Sequence, residues 1–160
     1  MGLDMYLTAR KYVSRFDYRD GERIELPEFA ELAATAPENL IKYANHSGIQ
    51  ISYPVGYWRK ANAIHGWFVN ECGGGVDECQ DIYVPRDKLV ELRDLCKTAI
   101  EQPAMAGDIL PPTSGFFFGS YDIDEWYMED MKHTVAMLDN ILDILPDLGW
   151  EWDIIYRASW

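Results

Sequence analysis

Apolar and polar residues alternate at both ends of the chain. Leu3, Met5 and Leu7 are separated by Asp4 and Tyr6, which predicts a strand over residues 3–13. Trp152, Ile154 and Tyr156 alternate with Asp153, Ile155 and Arg157, which predicts a second strand within 150–160. Between them the period lengthens. Pro27 opens a short helix over 28–34, and Pro37 opens another that runs to about Ala44 and stops over 45–48. Ile49, Ile51 and Tyr53 alternate with polar neighbours and predict a short extended segment. Trp58, Ala61, Ile64 or His65, and Phe68 recur at helical spacing and predict a helix over 57–71, ended by Gly73-Gly74-Gly75. Ile82 to Val84 reads as a short strand. Leu89, Leu92, Leu95 or Cys96, and Ile100 form the stripe of a helix from Pro85 to about Glu101. Tyr127, Met131, Thr134, Leu138, Ile141 and Leu145 form the stripe of the longest helix, over 123–145, with Asp122 or Asp124 as its cap and Pro146 and Gly149 beyond its end. Residues 17–26, with Asp20-Gly21, read as a loop or hairpin tip. Residues 102–112, with three prolines, read as a loop, and residues 113–122 as a short strand between glycines.

These elements show neither a regular βαβ alternation nor an internal repeat. They predict an α+β fold: a small, mostly antiparallel sheet that includes both terminal strands and is covered by about four to five helices. A length of 160 residues suits a single domain over 1–160. No apolar run approaches the ~18 residues of a membrane-spanning helix, and no secretory signal is expected at the N-terminus. Tyr6 stands where an N-myristoylation pattern needs Ser or Thr. The three cysteines, Cys72, Cys79 and Cys96, read as free thiols of a reducing cytosol.

Charge narrows the partners. The chain carries 14 basic and 27 acidic residues, a net charge of −13, which disfavours direct binding to nucleic acid backbones. Ten carboxylates lie between Asp122 and Asp153, opposed by Lys132 alone. Such a segment is a solvated helix face, or else a surface that imitates DNA or docks a basic partner protein.

Against this background the cations of one aromatic block stand out. Arg59, Lys60, Asn62 and His65 fall among Tyr57, Trp58, Trp67 and Phe68. At a helix N-terminus they would join free backbone N–H groups, a setting for an anion. Arg59, Asn62 and Gly66 would then share a helix face. Gly66 is costly inside a helix and implies a close approach by another group. The second block, Ser114 to Asp122, offers the hydroxyls of Ser114, Ser120 and Tyr121 beside Gly115 and Gly119. It lacks the P-loop ending and the Rossmann glycine pattern. The chain has no nucleophile elbow and no HExxH, and His46, His65 and His133 make no metal spacing. The gap between Cys72 and Cys79 is wider than usual for zinc. Neither a catalytic group, a metal site nor a cofactor is therefore assigned, and binding without turnover is favoured over catalysis.

The opening Met-Gly-Leu-Asp-Met-Tyr-Leu, the block from Tyr57 to Val69 (Tyr-Trp-Arg-Lys-Ala-Asn-Ala-Ile-His-Gly-Trp-Phe-Val), the stretch Ser114-Gly115-Phe116-Phe117-Phe118-Gly119-Ser120 and the closing Ser159-Trp160 are similar to those of a family of small tailed-bacteriophage and prophage proteins. The resemblance spans nearly the whole chain. It implies a viral protein acting in the cytoplasm of a bacterial host, and it carries over no activity and no site residues. Proteins of this kind are often directed at the host. The residues then suit an accessory protein that binds a small phosphorylated or nucleotide-like ligand and withholds it from host immunity. Arg59 and Lys60 would meet phosphate charge, Asn62 and Ser120 would orient the ligand, and Tyr57, Trp58 and Tyr121 would stack on it, with His65 and Ser114 nearby. The alternatives are an acidic inhibitor of a host protein and a nucleotide-modifying enzyme. Assembly with a second copy of the chain stays open.

Overall fold

The computed structural model describes residues 2–19, 21–44, 48–115 and 117–160. It is an α+β protein with a mostly antiparallel four-stranded sheet that includes the first and last strands. The elements are β1 (Asp4–Ser14), β2 (Phe16–Arg19), β3 (Glu22–Glu25), α1 (Pro27–Thr35), α2 (Glu38–Ala44), β4 (Gly48–Arg59), α3 (Asn62–Glu71), β5 (Ile82–Tyr83), α4 (Arg86–Glu101), a 3-10 turn (Pro103–Met105), α5 (Ala106–Ile109), α6 (Glu125–Ile144) and β6 (Trp152–Ser159). The sheet order is β4-β1-β6-β5, so the two terminal strands are neighbours. Contacts group the chain into two compact units, Met1–Ala9 with Pro54–Trp160, and Arg10–Tyr53. No helix among the described residues is long and apolar enough to cross a membrane.

The larger unit holds the core. Met5, Leu7 and Ala9 point inward from β1 and Ile154 and Tyr156 from β6, meeting Ile64 and Phe68 of α3, Leu89 and Leu92 of α4, and Met131 and Leu138 of α6. The expected stripe of α6 is buried throughout, from Tyr127 to Leu145. Burying each large aliphatic side chain contributes about 1.5–3 kcal/mol. Aromatic rings add directed contacts: Phe68 stacks on Tyr156 with centroids 4.1 Å apart, and Trp58 meets the edge of Phe68.

The smaller unit is built locally. β2 and β3 pair antiparallel, with Phe16 opposite Glu25, so the expected hairpin tip carries real strands. Gly21 takes the left-handed backbone at the tip, where a side chain would be strained. The Arg23 guanidinium lies 3.5 Å from the Phe16 ring centroid, and Lys11 pairs with Glu28 of α1 at 2.7 Å.

Two expected elements are replaced. The helix predicted from residue 57 starts at Asn62, because β4 continues through Tyr57, Trp58 and Arg59. Exposed Tyr57, buried Trp58 and exposed Arg59 keep the two-residue period, and aromatic residues suit a pleated strand. Pro54 is tolerated because β4 is an edge strand. Arg59 therefore does not share a helix face with Asn62 and Gly66. Residues 113–122 form no strand among those described. Phe117 and Gly119 both have positive φ, which interrupts the extended period. The expected helix stop at Asn45, together with His46 and Phe116, lies outside the described residues. The loop expected over 102–112 contains the 3-10 turn and α5.

Gly66 has its close neighbour. A Cβ there would stand 1.8 Å from Thr113 Oγ1, so a side chain at 66 is incompatible with the seat of the 113–122 loop on α3.

Candidate functional site

The two sequence blocks meet. β4 ends at Arg59, and Lys60 turns the chain with φ of 61°, a left-handed conformation that a lysine rarely adopts. Its N–H donates to the Leu3 carbonyl and its carbonyl accepts from the Asn62 N–H, each at 2.8 Å. α3 starts directly after this turn, and no side chain caps its first N–H groups. Asn62 is buried and ties the second block to this corner. Its amide nitrogen donates to the carbonyls of Phe118 at 3.2 Å and Ser120 at 2.8 Å, and its oxygen accepts from the Thr113 N–H at 3.2 Å.

A cleft of about 460 Å³ opens where these parts converge. One wall is the β4–α3 corner, with Arg59, Lys60, Asn62 and Ala63. A second is the loop, with Gly119, Ser120 and Asp122. The third is the first turns of α6, with Asp124, Trp126, Tyr127 and Asp130. Gly119 has φ of 99°, which would strain any side chain, and a Cβ there would be in ordinary contact with Lys60 at 3.4 Å. A volume of this order suits a small organic ligand.

Charges of both signs face the cleft. Arg59 Nε lies 4.0 Å from Asp4 Oδ1, and its side chain is mostly exposed. Lys60 makes no ion pair with the described residues. The acidic groups differ in how they are engaged. Asp122 Oδ2 accepts from the Ser120 hydroxyl at 2.8 Å. Asp124 caps α6, its Oδ1 accepting from the Tyr127 N–H at 3.0 Å, as one of the two expected caps. The Asp130 carboxyl hydrogen-bonds to none of the described residues. Burial pushes it up to about 6, with the Asp124 charge adding to the rise and His133 opposing it. Tyr127 is fixed behind the wall, its hydroxyl donating toward the carbonyls of Ala106 and Leu110, and burial pushes it up to about 12.

Of the residues singled out by sequence, Arg59, Lys60, Asn62 and Ser120 line this cleft. The others lie elsewhere. Trp58 is 2% exposed, with its indole N–H donating to Thr134 Oγ1 at 2.8 Å, so it offers no free face. The Tyr57 hydroxyl donates to Asp4, which raises its pKa, and its ring tilts against Tyr6. Ser114 and Tyr121 are exposed outside the lining. His65 is buried, its Nδ1 2.7 Å from the Tyr156 hydroxyl and its Nε2 3.0 Å from Asp77 Oδ2. It anchors the 72–81 loop rather than facing the cleft.

Sequence reasoning missed Trp126 and Asp130 as partners of the basic corner. Their spacing of four on a predicted helix was the available signal, beside the buried stripe through Tyr127 and Met131. Among the described residues, no group of three His, Cys, Asp or Glu side chains gathers to hold a metal ion. Cys72, Cys79 and Cys96 are free. Burial raises the Cys72 thiol to about 11 and the Cys96 thiol to about 12, so neither is a ready nucleophile.

Comparisons with family models, with curated proteins and with solved structures return no significant match.

Proposed function

We propose that this protein binds a small phosphorylated, nucleotide-like molecule in the cleft and releases it unchanged. The observation that carries this reading is the basic corner: Arg59 and Lys60 flank the uncapped N-terminus of α3 on one wall. A phosphate there meets two cations at the positive end of a helix, in a chain otherwise rich in carboxylates. The indole of Trp126, 79% exposed, offers a face for a flat ring on the opposite helix. Lys60 supports the reading in a second way. A left-handed lysine costs about 1–2 kcal/mol that glycine would not, a cost that contact of its side chain with a bound phosphate would offset. In a viral protein such binding would withhold a nucleotide signal from the host.

The test is a thermal-shift screen of mono-, di- and cyclic nucleotides, with chromatography of each nucleotide after incubation. A ligand at 100 times its Kd adds about 2.7 kcal/mol of stability. The expected result is a shift that Lys60→Ala abolishes, with the nucleotide recovered intact. A chemically altered nucleotide makes the protein an enzyme instead, and the absence of any shift removes the reading. The latter result would direct attention to a basic protein partner for the acidic C-terminal half.

A further inference from the structure

We infer that the cleft also reads the base, and takes a guanine nucleotide in preference to an adenine one, with the Asp130 carboxylate accepting the two adjacent N–H groups of the guanine edge. This rests on the nucleotide-binding reading above.

Trp126 and Asp130 both line the cleft and stand four residues apart, so they share a helix face about one 5.4 Å turn apart. A base lying on the Trp126 indole therefore extends its edge toward Asp130. Of the three cleft carboxylates, Asp122 and Asp124 already accept hydrogen bonds from Ser120 and Tyr127, whereas Asp130 is left without one among the described residues.

An ionised carboxylate only accepts, through two oxygens side by side. Its best partner is a pair of parallel donors, as in its pairing with arginine. The guanine edge carries a ring N–H next to an exocyclic amine and matches that pattern. Adenine and cytosine set one amine beside a ring acceptor, whose lone pair would face a carboxylate oxygen. Uracil sets one N–H between two carbonyls. Stacking combined with edge recognition is the usual way a protein reads an isolated base. The partial burial of Asp130 sharpens the choice, because a partly desolvated carboxylate gains more from two donors than an exposed one.

The experiment is calorimetric titration of the full-length protein with guanosine, inosine and adenosine monophosphates at one ionic strength, for the wild type and Asp130→Asn. The wild type is expected to bind the guanosine form at least about tenfold more tightly than the adenosine form. Inosine monophosphate keeps the ring N–H and lacks the amine, so it should fall between them. Asp130→Asn should erase the preference while still binding all three. Equal affinities in the wild type, or a preference that survives Asp130→Asn, would overturn the base assignment and leave the nucleotide reading standing. No binding by any of the three, with cyclic and diphosphate guanine nucleotides also silent, would remove both. Should Asp130→Asn fail to fold, the order of the three ligands on the wild type decides the matter alone.

Discussion

The side-chain amide of Asn62 donates to the main-chain carbonyl of Ser120 at 2.8 Å, across 58 positions of sequence. Through this bond and its two companions, one buried asparagine at the start of α3 decides where the 113–122 loop lies, and so where the cleft has its second wall. Its donors and its oxygen are all engaged, so Asn62 shapes the site rather than reaching into it.

Asn62→Ala removes three hydrogen bonds at once. Each is worth about 0.5–1.5 kcal/mol, and groups left unpaired add to the loss, so destabilisation of about 2–4 kcal/mol is expected. Asn62→Asp should be no better, because a carboxylate cannot donate to the Phe118 and Ser120 carbonyls. Urea denaturation of both variants checks this, and a loss under about 1 kcal/mol for either would show that the loop is held by other contacts.

Gly66→Ala brings a methyl group 1.8 Å from Thr113 Oγ1. Overpacking of this kind costs about 1–3 kcal/mol. Thr113→Ala removes the nearest atom while leaving the 113 Cβ at 2.8 Å, so the double variant should recover part of the loss. A double-mutant cycle with a coupling near zero would mean that the clash is relieved elsewhere.

Lys60→Gly separates stability from binding. Relief of the left-handed strain, about 1–2 kcal/mol, outweighs the added freedom of the unfolded chain, about 0.4–1 kcal/mol. The variant should thus match or exceed the wild type in stability by up to about 1.6 kcal/mol, while nucleotide affinity falls at least about tenfold. Denaturation and titration of the same sample read both effects. A loss of stability would mean that the lysine side chain supports the turn through packing.

Asp130 gives a pH dependence of defined sign. Its folded value of about 6 lies above the ordinary 3.8, so between those values the native state holds more protons than the unfolded one. Its contribution therefore destabilises the fold at pH 7 and is relieved as pH falls through 6. The group is partly solvated, which reduces the effect to about 1 kcal/mol. Asp130→Asn should stabilise the protein by that amount at pH 7, with the difference shrinking as pH falls through 6 and vanishing only below 3.8. Binding of a guanine nucleotide should weaken over the same descent, because the carboxylate acceptor is lost. His133, Asp124, Asp122, Arg59 and Lys60 are the charged neighbours, and an adenine nucleotide titrated in parallel reports their share.

Much of the secondary structure was legible because the terminal strands and the helices from Pro85 and toward Leu145 each bury one face, which leaves a period in the sequence. The boundary at Arg59 was not legible. α3 is buried all round from Asn62 to Val69, so it shows no polar face, and Trp58 happens to fall in phase with it although it belongs to a strand. In the site, the unusual pairing of Arg59 with Lys60 and the glycine-flanked polarity of Ser120 could be picked out by residue type. The true place of Trp58 and His65 could not, since a buried aromatic and a ligand-facing one look alike until packing separates them.

Sequence alone determined the class of fold, the excess of negative charge and the few cations that stand against it, because period and composition are properties of the chain itself. Tertiary structure decided which of those residues share a space. Asn62 brings the 113–122 loop to the β4–α3 corner, and the packing of α6 on α4 and the sheet carries Trp126 and Asp130 to the third wall. The hydrogen bonds behind those approaches join residues 51 to 76 positions apart, a separation that no local spacing encodes.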